Sequence, residues 1–261
     1  GFDFTSTWWM ADGATRPFLR SEWRQNITNA HELQLIAMKL DHSYSLANDI
    51  NLAPSLTNPS EMWKGTAVGS SFQGSWKPIG SLRPLVYDTA EEEWTASGSD
   101  RPFVGVFDGK NNSITGLTIQ RPTELPGSPA ANEALDSSGV GLFGYVSGSS
   151  SEIRDLKLID PVVKGYQNVG AVVGFMEEGN LRRLTVENIA VQGGGYYVGG
   201  IVGSLGGNAT ALLASGGQVT GAASGMGGVI GYNEGSVTQS SADVNVTSQR
   251  DEAGGLVGNN S

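Results

Sequence analysis

Val169-Gly170-Ala171-Val172-Val173-Gly174 and Val198-Gly199-Gly200-Ile201-Val202-Gly203 are two versions of one phrase. It returns as Val140-Gly141-Leu142-Phe143-Gly144, Met226-Gly227-Gly228-Val229-Ile230-Gly231 and Ala253-Gly254-Gly255-Leu256-Val257-Gly258. The closing glycines Gly144, Gly174, Gly203, Gly231 and Gly258 are 30, 29, 28 and 27 residues apart. Self-similarity at such a period is the mark of stacked repeats. Two more apolar segments follow each phrase. Ile153, Leu156 and Leu158 correspond to Leu181, Leu184 and Val186, then to Ala209, Leu212 and Ala214, then to Val237, Ser240 and Ala242. Val163, Val191, Val219 and Val246 mark the last segment of each coil.

A single coil of this kind cannot bury its apolar side. Stacked coils can, because they line an interior with columns of Val, Leu and Ile and pair their backbones about 4.8 Å apart as parallel strands. The expected fold is all-β, a right-handed parallel β-helix or solenoid with three short strands per coil and one short helix in an N-terminal cap or insertion. Glycine is expected at the corners, which need positive φ or close backbone approach.

Upstream the pattern degrades. Phe103-Val104-Gly105-Val106-Phe107-Asp108-Gly109 precedes Ile114, Leu117 and Ile119, whose +3, +2 spacing matches Ile153, Leu156 and Leu158. The solenoid is therefore placed at 103–261, with a proline-spaced loop insertion at 121–138. Residues 20–102 are expected to form a cap or insertion. They hold a helix over 29–40, with Asn29 and Glu32 forming a capping box and Leu33, Ile36, Ala37 and Leu40 at helical spacing. Tyr44 to Leu52 alternates like a strand, and Ala53 to Arg101 reads as long loops. Residues 1–19 are set apart as the tail of a preceding module.

Composition limits the partners. A net charge of −10 excludes the basic stripe that nucleic acid requires. The absence of cysteine removes disulfides and thiolate metal sites. No stretch approaches eighteen apolar residues, so no membrane insertion is expected, and no signal peptide opens the chain. Neither a cofactor nor a metal is implied. His31 and His42 carry no partner motif, no Gly-x-Ser-x-Gly elbow occurs, and Gly193-Gly194-Gly195 is read as a corner.

Two places could meet a ligand. All six tryptophans, Trp63, Trp76 and Trp94 among them, precede residue 95 and could offer rings to a sugar, but packing beneath long loops is the favoured account of them. On the solenoid, aligned coils set Arg154 beside Arg182 and Asp155 beside Arg183, with Glu187 near, a face on which a lyase or glycosidase would need its acids and bases. The next coil is uncharged from Ser204 to Asn233, which suits a contact surface better than a catalytic groove.

The Val-Gly-Gly-Ile-Val-Gly coils resemble GLUG repeats. These occur in large bacterial surface proteins, including filamentous-haemagglutinin-type adhesins of two-partner secretion, and beside certain immunoglobulin-cleaving metalloproteases. Phe103 to Ile119 resembles the opening of such an array, and Phe2 to Leu19 the close of a preceding one. The resemblance implies no catalytic residue, and no His-Glu-x-x-His helix is present. It implies a structural or adhesive segment at the surface of a bacterium or secreted from it. The expected partners are polysaccharide, a host or bacterial surface, or a second copy. A polysaccharide-binding or polysaccharide-degrading β-helix is the alternative.

Overall fold

The computed structural model of the chain describes residues 1–11, 15–63, 74–83, 85–88, 93–96, 98–124, 134–135, 138–250 and 252–261. Most of its strands lie in three sheets with parallel neighbours, stacked along one axis, so the fold is a parallel β-solenoid. The broad sheet holds Glu152–Ile159 with Val162–Gly165, Asn180–Gly193, Asn208–Gly221, and Ser236–Thr238 with Ser241–Ser248. A second sheet stacks Ser138–Val140, Gln167–Gly170, Tyr196–Gly199, Ser224–Gly227 and Ala253–Gly254. A third stacks Phe143–Val146, Val173–Met176, Val202–Leu205, Ile230–Asn233 and Val257–Asn260. The glycine phrase is thus two strands on two sheets. The two segments that follow it merge into one continuous strand in the central coils.

The +3 and +2 steps have a backbone cause. Alternation along a strand would turn Ile153, Asp155 and Lys157 the same way. Asp155 adopts φ 53°, however, which bends the strand and returns Leu156 and Leu158 to the interior beside Ile153. Arg183, Ala211 and Gln239 repeat that conformation in successive coils. A second left-handed column runs through Gly116, Asp160, Asn188 and Gly216, and a third through Gly139, Asn168, Tyr197, Gly225 and Glu252. In the last coil the second bend is missing. The register slips there between Ser215 and Gln218, and Ala242, Val244 and Val246 alternate without interruption. Two bends on the broad sheet make the +3, +2 step occur twice per coil. For this reason Ile114 and Ile119 pair with Leu158 and Val163, one step later than their spacing suggested.

The interior columns follow from this register. Ile153 lies beside Leu181 and Leu181 beside Ala209; Leu156 beside Leu184 and Leu184 beside Leu212; Leu158 beside Val186. Val163, Val191, Val219 and Val246 form one row, of which the first three are buried and Val246 is half-buried. The closing glycines do not occupy left-handed corners. They sit where the two narrow sheets meet nearly backbone to backbone. A Cβ on Gly203 would lie 2.4 Å from the Asn168 carbonyl carbon and 2.5 Å from the Gly174 oxygen, and one on Gly231 would lie 2.4 Å from the Val198 nitrogen. Gly144, Gly174 and Gly258 are equally enclosed. The left-handed corners are carried mainly by other residues, Asn and Asp frequent among them, whose short polar side chains tolerate that region.

Upstream of residue 103 the same sheets continue. Asn26–Ile27 pairs in parallel with Tyr44–Leu46, which pairs with Val106–Asp108, and Ile50–Asn51 pairs with Ser113–Thr115. Ile79 and Phe103 bridge in parallel to Phe143 and Val146 of the third sheet. These short segments therefore extend the rungs upstream of residue 103. The α-helix spans Ala30–Leu35, shorter than the expected 29–40, and passes into a 3-10 turn at Ile36–Met38. Asn29 accepts from the Glu32 amide at 3.0 Å, while the Glu32 carboxylate reaches back to the Thr28 amide at 2.7 Å. A second short helix, Ala53–Thr57, has Pro54 in its first turn, where a missing N–H costs nothing. Trp8–Trp9 pairs antiparallel with Phe18–Leu19, and buried Phe18 packs edge-on to Trp63, so Phe18, with Trp9 against it, joins the same core.

Candidate functional site

Charged side chains gather on the outer face of the broad sheet. Phe107, Ile153 and Leu181 point inward, so their neighbours Asp108, Arg154 and Arg182 point out in one row. That row begins with Asn26 and Ser45 and ends with Thr210 and Thr238, whose hydroxyls meet at 3.1 Å. The central members pair across coils. Asp108 accepts from Arg154 at 3.0 Å and lies 3.0 Å from the Lys110 ammonium. Arg154 and Arg182 are like-charged neighbours that share Glu152, at 2.5 and 3.3 Å. Arg183 grips Asp155 with two hydrogen bonds, at 2.5 and 2.8 Å, and Lys157 meets Glu187 at 2.8 Å.

Burial alone would raise the Asp108 carboxyl pKa. The Lys110 amide, Lys110 and Arg154 outweigh it and hold that group below its ordinary value. Arg183 does the same for Asp155. Asp108 is thus kept as a carboxylate, an acceptor with two cations on it, at the edge of an open hollow lined by Gln25, Ser43, Ser45, Lys110 and Arg154. Such a hollow offers charged and amide groups to a polar ligand. Glu187 is held by Lys157 and Arg182 by Glu152, so the two are engaged by different partners.

The tryptophans lie elsewhere. Trp63 and Trp76 are fully buried and stacked at 5.8 Å, so they pack the N-terminal core and present no face to a ligand. Gln34, also fully buried, satisfies Trp63: its side-chain oxygen accepts from the Trp63 indole at 2.9 Å and its amide donates to the Lys77 carbonyl at 3.0 Å, while the Trp76 indole donates to the Leu142 carbonyl at 3.4 Å. The side chain of Trp94 lies outside the described residues. His31 stands between two carboxylates, Glu22 at 3.0 Å and Glu61 at 2.8 Å. Burial alone would lower its pKa, and the hydrogen bonds and charges of Glu61 and Glu22 raise it above the ordinary value. Sequence reasoning did not find this cluster, because its members are 9 and 30 residues apart with no motif between them. Among the described residues, no group of three or more His, Cys, Asp or Glu side chains is placed to hold a metal ion, and no helix is long and apolar enough to cross a membrane.

Parts of this chain are similar to known proteins. A crystal structure from Bacteroides ovatus, described as a candidate immunoglobulin A1 protease, superposes with a TM-score of 0.48 at 15% identity, over 89% of this chain and 70% of that one. Halomucin of Haloquadratum walsbyi is 28% identical over 214 residues, which is 82% of this chain and 2% of halomucin. The chain therefore spans a small fraction of that relative's length. Residues 222–247, the coil that runs from the second sheet through the third and back along the broad one, match the family described as the GLUG motif.

Proposed function

We propose that this chain is a structural and adhesive segment of a large protein that is secreted or held at the cell surface. One observation carries the reading: parallel strand pairing runs along one sheet from Asn26 to Ser248, and its outer charges are paired between coils. Such a sheet makes a stiff body with a flat side, suited to holding a contact surface away from a cell. The GLUG match, and a halomucin relative of which the chain covers 2%, support a repeat segment within something much longer. Attachment to host or bacterial surfaces or to matrix polysaccharide, and the two-partner secretion route, are the finer parts of this reading.

The test is a cell-adhesion assay with the immobilised chain, run beside a glycan array. Dose-dependent capture of cells or glycans is expected. Capture of neither would leave a passive spacer in its place. The Asp108 hollow favours a second reading, a polysaccharide-degrading face. Release of new reducing ends from a soluble polysaccharide, abolished by Asp108→Asn, would establish it.

A further inference from the structure

Four of the seven tyrosines lie around one corner of the solenoid. Tyr166 occupies the turn from the broad sheet into the second, Tyr196 and Tyr197 open the next strand of that second sheet, and Tyr232 lies on the third. Their rings are close and ordered by the coil spacing. Tyr197 stacks on Tyr232 at 4.4 Å with 18° between planes, and Tyr196 lies 6.0 Å from Tyr197. Glycines clear the ground for them. A Cβ on Gly195 would come within 2.9 Å of the Tyr166 ring, and one on Gly225 within 3.0 Å of the Tyr197 ring, so each ring lies along the axis over the following coil. Tyr196 remains 50% exposed.

The stripe continues into polar ground. Ser224 pairs in register with Tyr196, and Ser224, Ser248, Gln249, Arg250 and Glu252 line one open hollow on the next turns. The exposed Tyr196 ring and the half-buried rings of Tyr166, Tyr197 and Tyr232, beside a rim of hydroxyl, amide and charged groups, match one ligand chemistry well. A sugar ring has an apolar C–H face, which lies on an aromatic face, and a hydroxyl edge that needs donors and acceptors. Charge narrows the class. The hollow's one cation, Arg250, is offset by Glu252, and the chain carries −10, so nothing there draws a polyanion. The same charge opposes a second copy of the chain.

We infer that the stripe from Tyr166 through Tyr196, Tyr197 and Tyr232 to Arg250 is a binding site for neutral polysaccharide, with sugar rings stacked on the tyrosines. The inference rests on the adhesive reading and gives it a location on the solenoid, away from the tryptophans. Native gels cast with hydroxyethylcellulose, xyloglucan, laminarin or hyaluronan test it by retardation of the full chain. At least one neutral polymer should retard it. Tyr196→Ala and Tyr232→Ala should each weaken that binding by about tenfold, with Tyr196→Phe close to the parent. Circular dichroism checks that the variants fold. Unchanged retardation of folded alanine variants would overturn the site, as would retardation by hyaluronan alone. Concentration-dependent dimers lost in Tyr196→Ala would assign the stripe to a second copy instead. If the chain captures cells while no neutral polymer retards it, the stripe fails and the adhesive reading stands. If it captures neither cells nor glycans, both fail.

Discussion

The central coils, 180–233, and the N-terminal region up to residue 63 share sheets but are held together by opposite means. In the central coils the narrow sheets touch through glycine, with Gly199, Gly203 and Gly231 leaving no room for a Cβ. Side-chain volume is excluded there, and backbone packing does the work. The N-terminal region is filled by large side chains: Phe18, Trp63, Leu33, Leu35 and Ile36 are fully buried, and a buried amide, Gln34, orients the Trp63 indole. The first solution can be repeated along the axis, because each coil presents the same surface to the next. The second cannot, because its rings, helix and His31 ion pairs fit only one another. A repeat needs a regular interior, and an irregular beginning needs specific contacts.

The largest effect expected from this contrast is in the glycine region. Gly203→Val places a branched side chain against the Asn168 and Gly174 backbones and should cost at least ~3 kcal/mol, seen as loss of soluble protein or a large fall in Tm. A tolerated valine would mean that the narrow sheets can part, and the contrast would lose its basis. Gln34→Ala should cost less, about 1–3 kcal/mol, by stranding the Trp63 indole N–H in the core. Hydrogen exchange should then rise first around Ala30–Ile36 and leave Asn180–Gly221 protected. Uniform exchange would show that the two regions unfold as one.

The smallest effect is the dependence on pH. Only an imidazolium can donate to both Glu22 and Glu61, and the folded pKa of His31 is raised above 6.5. This contribution is therefore complete below pH 6.5 and is lost as pH rises through the folded value. Tm should fall modestly across that window, and His31→Gln should flatten the profile. An unchanged profile in His31→Gln would remove the histidine from the stabilising contacts of the N-terminal region.

The repeat was open to reading because stacking imposes a period on the sequence, and apolar residues recur wherever a coil must fill the same interior position. The helix was readable in type through its cap, but its end was not: Ile36 onward is drawn into a tighter turn by tertiary packing against the core. Ile114 pairs with Leu158 and not Ile153 because two bends give the same spacing, and spacing cannot say which bend is meant. The charge pairs across coils are visible once coils are aligned, as with Asp155 and Arg183. Asp108 joining Arg154 depends on a register 46 residues long, well beyond the step between aligned coils. The tyrosine stripe is not legible in the sequence for a related reason, since its rings come from different sheets.

By itself the sequence determined a parallel solenoid, the length of its coils and which residues fill its interior, because these follow from local alternation repeated at a steady interval. Only the tertiary structure decided that the closing glycines serve close contact between sheets, that Trp63 and Trp76 are buried, and that Tyr196 is left half exposed on the solenoid. Each of those outcomes depends on how near two backbones come when they are far apart in the chain. A sequence records that distance only as the absence of a side chain, which positive φ at a corner would also require.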